Sequence, residues 1–173
     1  MRSLLFVPGD SPKKIEKACQ SGADILLLDL EDSVALSAKE EARHVVAETI
    51  KTYAHGPDMP KLYVRINALD SGLADADLDQ VVRSSPAGIL LPKCVSGMDV
   101  QHLSAKLAVR EAESDLKDGS IRIIAIATET AASLFQLGTY HGASHRLEAL
   151  TWGAEDLSAD LGAETNRLEN GDY

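Results

Sequence analysis

The stretch Ile25-Leu26-Leu27-Leu28-Asp29-Leu30-Glu31-Asp32 is an almost unbroken apolar run that ends in three carboxylates. A continuous rather than alternating run suits a strand buried on both faces, and such strands belong to parallel sheets covered by helices. The same design recurs in Leu4-Leu5-Phe6-Val7-Pro8-Gly9, Leu62-Tyr63-Val64-Arg65-Ile66-Asn67 and Gly88-Ile89-Leu90-Leu91-Pro92-Lys93. It recurs again in Ile123-Ile124-Ala125-Ile126-Ala127-Thr128-Glu129-Thr130 and in Leu150-Thr151-Trp152-Gly153-Ala154-Glu155-Asp156. Chemistry gathered at the carboxyl ends of successive strands is how a β/α barrel builds its active site. The fold class expected is therefore α/β, a TIM-type (β/α)8 barrel. A closed barrel takes eight strands and about 250 residues, so this chain carries only about six βα units, with the carboxyl-terminal part absent.

Working outward, strands are expected over residues 3–7, 25–30, 62–66, 88–91, 121–127 and 147–152. Amphipathic stretches fill the gaps, and strands alternating with helices signal crossover connections. Ser11 caps the first helix, with Pro12 in its first turn and Gly22 past its end. Ser37 and Glu40 have the spacing of a capping box ahead of Ala42, Val45, Val46, Thr49, Ile50 and Tyr53. A loop is expected around Gly56-Pro57 and Pro60, and further helices over 74–83, 98–117 and 131–137. Residues 1–173 read as a single barrel domain, incomplete at its carboxyl end.

Hydrophobic residues make up 45% and charged residues 25% of the 173, which is globular composition. The net charge of −10 argues against nucleic acid and anionic membrane as partners. An acidic chain binds an anionic substrate only through local cations, which draws attention to Arg and Lys beside the strand ends. Cys19 and Cys94 lack metal-type spacing and read as reduced, buried thiols of a cytoplasmic protein. No apolar run is long enough for a membrane span, and no signal-type amino terminus is present. The histidines form neither HxH nor HExxH, and GxGxxG, Walker A and GxSxG patterns are missing, which excludes the common zinc-hydrolase, nucleotide-binding and serine-hydrolase readings.

Asp29 and Glu31 are expected on one face of their strand, with Asp32 beyond it, and such crowding raises at least one pKa or demands nearby cations. Asp32 or Ser33 as a turn cap is the alternative. Arg65 is a planar bidentate donor suited to a substrate carboxylate, to an ion pair with the Asp29–Asp32 cluster, or to both. Glu129 and Asp156 end neighbouring strands, and carboxylates so placed hold Mg²⁺ with waters and substrate oxygens; Glu129 is otherwise a helix amino-terminal acid. Lys93 is read as an ion-pair partner in preference to a Schiff-base nucleophile. Lys13 and Lys17 share a helix face that meets either a phosphorylated ligand or solvent.

Taken in order, these clusters resemble the citrate lyase β-subunit-like family, which includes malyl-CoA-type lyases of the wider aldolase superfamily. The matching stretches are Arg2 to Gly9, Leu28 to Val34, Val64 to Asn67, Leu91 to Lys93, Glu129 to Ala131 and Gly153 to Ser158. The resemblance implies that Glu129 and Asp156 are the Mg²⁺ ligands and that Arg65 holds the carboxylate of an oxo- or hydroxy-acid. It implies that Lys13 and Lys17 approach coenzyme A beside Phe6, with Asp29, Glu31, Asp32 and Lys93 completing the substrate-binding surround. The chemistry implied is Mg²⁺-assisted cleavage or formation of the carbon–carbon bond between an acyl-CoA or acyl-carrier thioester and an α-oxo acid such as oxaloacetate or glyoxylate. It further implies a homo-oligomer, commonly a trimer, and two more strands with a carboxyl-terminal catalytic segment. Without those strands the edges of strands 1 and 6 are expected to be exposed. A catalytically silent metal- and ligand-binding subunit, or a thioesterase at the same site, are the alternatives.

Overall fold

The run beginning at Ile25 forms a strand with no exposed residue, because a packed layer lies on each side of it. In the computed structural model, which describes residues 2–53 and 59–172, six parallel strands hydrogen-bond in sequence order. They are β1 (Leu4–Pro8), β2 (Ile25–Asp29), β3 (Lys61–Arg65), β4 (Gly88–Leu91), β5 (Arg122–Thr128) and β6 (Leu147–Trp152). The helices between them are α1 (Pro12–Cys19), α2 (Lys39–Tyr53), α3 (Ala74–Val81), α4 (Gly97–Glu113) and α5 (Ala131–Leu134), and α6 (Ala154–Asp160) follows β6.

Strand alternation divides the core in two. Leu26, Leu28, Val64, Ile89 and Ile123 pack with Ile15, Val46, Leu78 and Leu103 of the helices. Ile25, Leu27, Tyr63, Leu90, Ile124 and Ile126 form a second cluster on the inner face of the sheet. Truncating one of these fully buried side chains, Leu26→Ala for instance, is expected to cost about 2–5 kcal/mol.

The sheet is curled like a barrel wall. Adjacent strands lie about 4.8 Å apart, so in a flat sheet β3 and β6 would be separated by about 14 Å. Yet the Tyr63 hydroxyl on β3 donates to Glu148 Oε1 on β6. Gly88 makes room for this tyrosine, since a Cβ there would sit 2.1 Å from the Tyr63 ring. Among the described residues β1 and β6 pair on one side only. Leu4, Leu5 and Phe6 on β1, and Leu150 and Trp152 on β6, are accordingly exposed.

Several expectations change. The Ser37–Glu40 capping box does not form, because the chain enters α2 through a 3-10 turn at Leu36–Ala38 that already contains Ser37. The capping box belongs instead to α4, where Ser96 Oγ accepts from Met98 N and Asp99 Oδ2 from Ser96 N, each at 3.2 Å. That helix stops at Glu113, short of residue 117. The buried Glu111 carboxylate captures Gly119 N and Ile121 N at 2.9 and 2.8 Å and pairs with the buried Arg146, turning the chain back into β5. The helix expected over 131–137 is one short turn followed by a 3-10 turn at Leu137–Tyr140. Helix α6 had no counterpart in the sequence reading. Cys19 is only half-buried, at the end of a short helix, whereas Cys94 is buried. The loop expected at Gly56-Pro57 lies outside the described residues. No helix among the described residues is long and apolar enough to cross a membrane.

Candidate active site

Asp29 ends β2, Arg65 ends β3, and the two are in register. Both continue the inner-face alternation set by Leu27 and Tyr63, so their side chains meet at the sheet's carboxyl edge. Arg65 Nε and Nη2 donate to Asp29 Oδ1 and Oδ2, both at 2.7 Å, a fork-on-fork pairing. Its remaining nitrogen, Nη1, lies 3.0 Å from Glu31 Oε2 and 3.6 Å from Asp32 Oδ2. The Glu31 contact is off the N–H axis, so Oε2 has an ion-pair neighbour but no hydrogen bond. The Phe6 ring covers the guanidinium with its centroid 4.8 Å from Cζ.

The strand ends earlier than expected, and Glu31 as well as Asp32 lies beyond β2. Asp29 shapes the segment that follows by accepting from Glu31 N at 2.8 Å and Ser33 N at 3.0 Å. The Lys39 ammonium, buried under the segment, donates to Leu30 O and Glu31 O at 2.6 Å each. Asn67 Nδ2 adds a bond to Leu30 O, and Asp77 holds Asn67 through its backbone and side-chain nitrogens. Arg43 Nε closes this network on Asp77 at 2.7 Å.

These surroundings separate the two acids. Burial opposes ionisation of Asp29, but the Arg65 and Ser33 hydrogen bonds outweigh it and hold its carboxyl below the usual range. Burial also dominates at Glu31, and with Asp32 nearby it pushes that carboxyl up to about 7, even against the pull of Arg65. At neutral pH Asp29 is the anion that orients Arg65, and Glu31 Oε2 is able to hold a proton.

The second half of the mouth is built from β4, β5 and β6. Pro92 ends β4, and Lys93 then takes φ +51, a left-handed conformation unusual for a side-chain-bearing residue. Its backbone N–H donates to Glu129 Oε2. Its ammonium lies 3.2 Å from Glu129 Oε1 and 2.5 Å from Asp156 Oδ1. Glu129 is buried just beyond β5, while Asp156 is half-exposed in the first turn of α6. Gly153 permits this closeness, since a Cβ there would be 2.3 Å from Glu129 Cγ. Despite the desolvation that opposes it, the Lys93 ammonium is held strongly in its charged form by Asp156 and Glu129. That matches the ion-pair reading and leaves no amine for Schiff-base chemistry at neutral pH.

Among the described residues no group of three or more His, Cys, Asp or Glu side chains is placed to hold a metal. Two hard oxygen donors are nevertheless what Mg²⁺ takes from a protein when waters and substrate complete its octahedron. A cation already bridges these two, in the form of the lysine ammonium. A cleft of about 340 Å³ opens at the Asp29–Arg65 pair, lined by Phe6, Val7, Pro8, Asp29, Ser33 and Arg65. Phe6 continues into a groove of about 470 Å³ along β1 and α1, where Lys14 and Lys17 line the wall. Lys13 is exposed and outside that lining. A larger cavity, about 580 Å³, lies near Cys19, Asp24 and Glu148 at the other end of the strands, away from these acids.

The structure thus brings Phe6, Asp29, Glu31, Asp32 and Arg65 into one cluster and Lys93, Glu129 and Asp156 into another. Sequence reasoning missed Lys39, Asp77 and Gly153. Asp77 had a legible signal: a carboxylate between Ala74 and Leu78 on the buried face of α3 needs a partner. Lys39 had none.

A curled parallel β/α sheet with acids and cations concentrated at its carboxyl edge places the chain in the β/α-barrel class of folds. A family model described as HpcH/HpaI aldolase/citrate lyase matches residues 2–170, and the chain belongs to that family. It is 32% identical over 170 residues to the citrate lyase subunit beta of Leuconostoc mesenteroides subsp. cremoris, covering 98% of this chain and 55% of that protein. It is 35% identical over 171 residues to the L-malyl-CoA/beta-methylmalyl-CoA lyase of Cereibacter sphaeroides, covering 96% and 52%. Among solved structures, the citrate lyase beta subunit of Mycobacterium tuberculosis complexed with oxaloacetate and magnesium superposes with a TM-score of 0.72 at 29% identity, covering 98% of this chain and 66% of that one. The M. tuberculosis protein CitE in complex with magnesium, acetoacetate and coenzyme A gives 0.73 at 30% identity, covering 98% and 55%. The chain spans about half the length of the curated relatives it matches.

Proposed function

We propose that this chain carries the metal and oxo-acid site of a Mg²⁺-dependent carbon–carbon lyase. Its substrate is a CoA or acyl-carrier thioester whose breakdown yields an α-oxo acid of the oxaloacetate or glyoxylate type. The observation that carries the reading is the approach of Glu129 and Asp156 to a single cation position, opposite an arginine fixed by Asp29. Kinship with lyases supports it.

Glu129 and Asp156 would hold Mg²⁺, which would supply Lewis-acid polarisation of the oxo acid's carbonyl. Arg65 does the orienting. With Nε and Nη2 committed to Asp29, its Nη1 is the nitrogen left for a substrate carboxylate, in competition with Glu31. A proton on Glu31 Oε2 removes that competition. Phe6 shields the guanidinium from water and strengthens each of its ionic contacts. The groove beside Lys14 and Lys17 suits the phosphate-bearing arm of a CoA thioester, which moves one part of this role from Lys13 to Lys14.

Calorimetric titration with Mg²⁺ and oxaloacetate or glyoxylate tests the reading. Metal-dependent binding of the oxo acid is expected, with loss in Glu129→Ala. Absence of metal-dependent binding, or binding unchanged in that variant, refutes it. The exposed apolar edges of β1 and β6 favour a companion reading in which the isolated chain binds metal and ligand without turnover. Metal-dependent cleavage by the purified chain would exclude silence, and release of free acid alone would indicate thioester hydrolysis. The same edges favour a homo-oligomer, and the two free thiols a reducing, cytoplasmic setting.

A further inference from the structure

Lys93 supplies both a backbone donor and an ammonium to the carboxylates of the mouth, and the reason lies in its backbone. A β-region residue after Pro92 would extend β4 and, by strand alternation, send its side chain to the helix-facing side of the sheet with Ile89 and Leu91. The left-handed turn at φ +51 instead puts the N–H on Glu129 Oε2 and folds the side chain over the mouth to Asp156. Such a conformation is retained against its intrinsic cost only where the surroundings enforce it.

The ammonium is 3.2 Å from Glu129 Oε1 and 2.5 Å from Asp156 Oδ1, which makes it the shared cation of both oxygens. A Mg²⁺ ion held by Glu129 and Asp156 would need those same oxygens, at a closer approach than an ammonium makes. The two cations exclude each other by volume and by charge. The backbone bond from Lys93 N goes to the other oxygen, Glu129 Oε2, and is free to persist, keeping Glu129 in place while the ammonium leaves.

We propose that Lys93 is the resident counter-cation of the Glu129–Asp156 pair and that Mg²⁺ exchanges places with its ammonium. The exchange frees a lysine at the barrel mouth only once metal is bound. The inference rests on the proposed Mg²⁺ site. It gives binding an order: the metal first, then the anionic substrate, whose charge the released ammonium is positioned to meet beside Arg65. It also explains how two carboxylates remain close without metal, since the lysine takes the place of the ion.

Crystal structures of the protein grown with and without MgCl₂, together with calorimetric Mg²⁺ titrations of wild type, Lys93→Met and Lys93→Gln, test the exchange. With Mg²⁺ bound, Lys93 Nζ is expected beyond hydrogen-bond distance of both Glu129 and Asp156. Both variants are expected to bind Mg²⁺ at least tenfold more tightly than wild type, because no ammonium has to leave; the two side chains guard against a folding defect in either. Mg²⁺ bound with Nζ still contacting both carboxylates, or variants that bind it no more tightly, overturns the exchange and leaves the metal site standing. No Mg²⁺ binding by wild type and both variants overturns the proposed site and the exchange with it.

Discussion

Glu31→Gln is expected to change how stability depends on pH, and its size follows from the site. The folded chain keeps the Glu31 proton up to about pH 7, because burial disfavours the carboxylate, whereas the free side chain titrates at 4.5. Between those values the native state binds more protons than the unfolded state, so stability falls as pH rises. At about 1.4 kcal/mol per pH unit, integrating from pH 5 to pH 8 gives a loss of about 2–3 kcal/mol from this one group. Asp29 has the opposite sign: its depressed value makes its contribution complete above 3.8 and lost only as pH falls below that range, outside the window. The glutamine variant has no proton to release. Its stability relative to wild type should therefore rise by about 2–3 kcal/mol between pH 5 and pH 8. With an m-value of about 2 kcal/mol/M, the difference in urea midpoint between the two proteins should move by about 1–1.5 M, measured in chelator to exclude metal. Curves that stay parallel across this range would refute the buried, proton-holding role of Glu31.

Gly153→Ala places a methyl group 2.3 Å from Glu129 Cγ; it should weaken Mg²⁺ binding at least tenfold by calorimetry while costing about 1–3 kcal/mol in urea unfolding. Lys39→Met removes the buried donor to Leu30 O and Glu31 O, and a loss of about 1–3 kcal/mol is expected in thermal unfolding. Arg65→Lys cannot reproduce the two-pronged pairing with Asp29. Fluorescence of Trp152, the single tryptophan, should then report oxo-acid affinity weakened at least tenfold with Mg²⁺ affinity nearly unchanged.

The strands were legible because a parallel sheet buried on both faces leaves continuous apolar runs, as at Ile25–Asp29. The bounds of β4 and β6 follow directly from Pro92 and from Gly153. The ends of α4 were not legible, because its stop depends on Glu111 meeting backbone groups up to ten residues further on, a tertiary event with no local signature. The Ser37–Glu40 spacing misled for the same reason: a 3-10 turn ahead of α2 moves Ser37 inside the helical segment. Arg65 and Glu129 were visible as charges ending apolar runs. Their partners were visible only as candidates, since which acid meets which cation depends on the curl of the sheet that carries Tyr63 to Glu148.

That curl also decides the charge balance from which the chemistry follows. Asp29, Glu31, Asp32, Glu129 and Asp156 converge at one edge against Arg65 and Lys93, and the two cations are unequally committed. Arg65 is locked by two short bonds to a buried acid that is itself held by backbone donors, so removing it would strand a buried charge. Lys93 reaches a half-exposed aspartate through a flexible stem. Even with the Glu31 proton retained, the acids outnumber the cations, and a dication in place of the ammonium brings the mouth nearer neutrality than the ammonium does. The arginine is thus the fixed element of the site and the lysine the exchangeable one. On the proposed reading an anionic substrate would be repelled by this edge until a metal had bound, which makes metal-dependent oxo-acid binding the property that tests the proposal most directly.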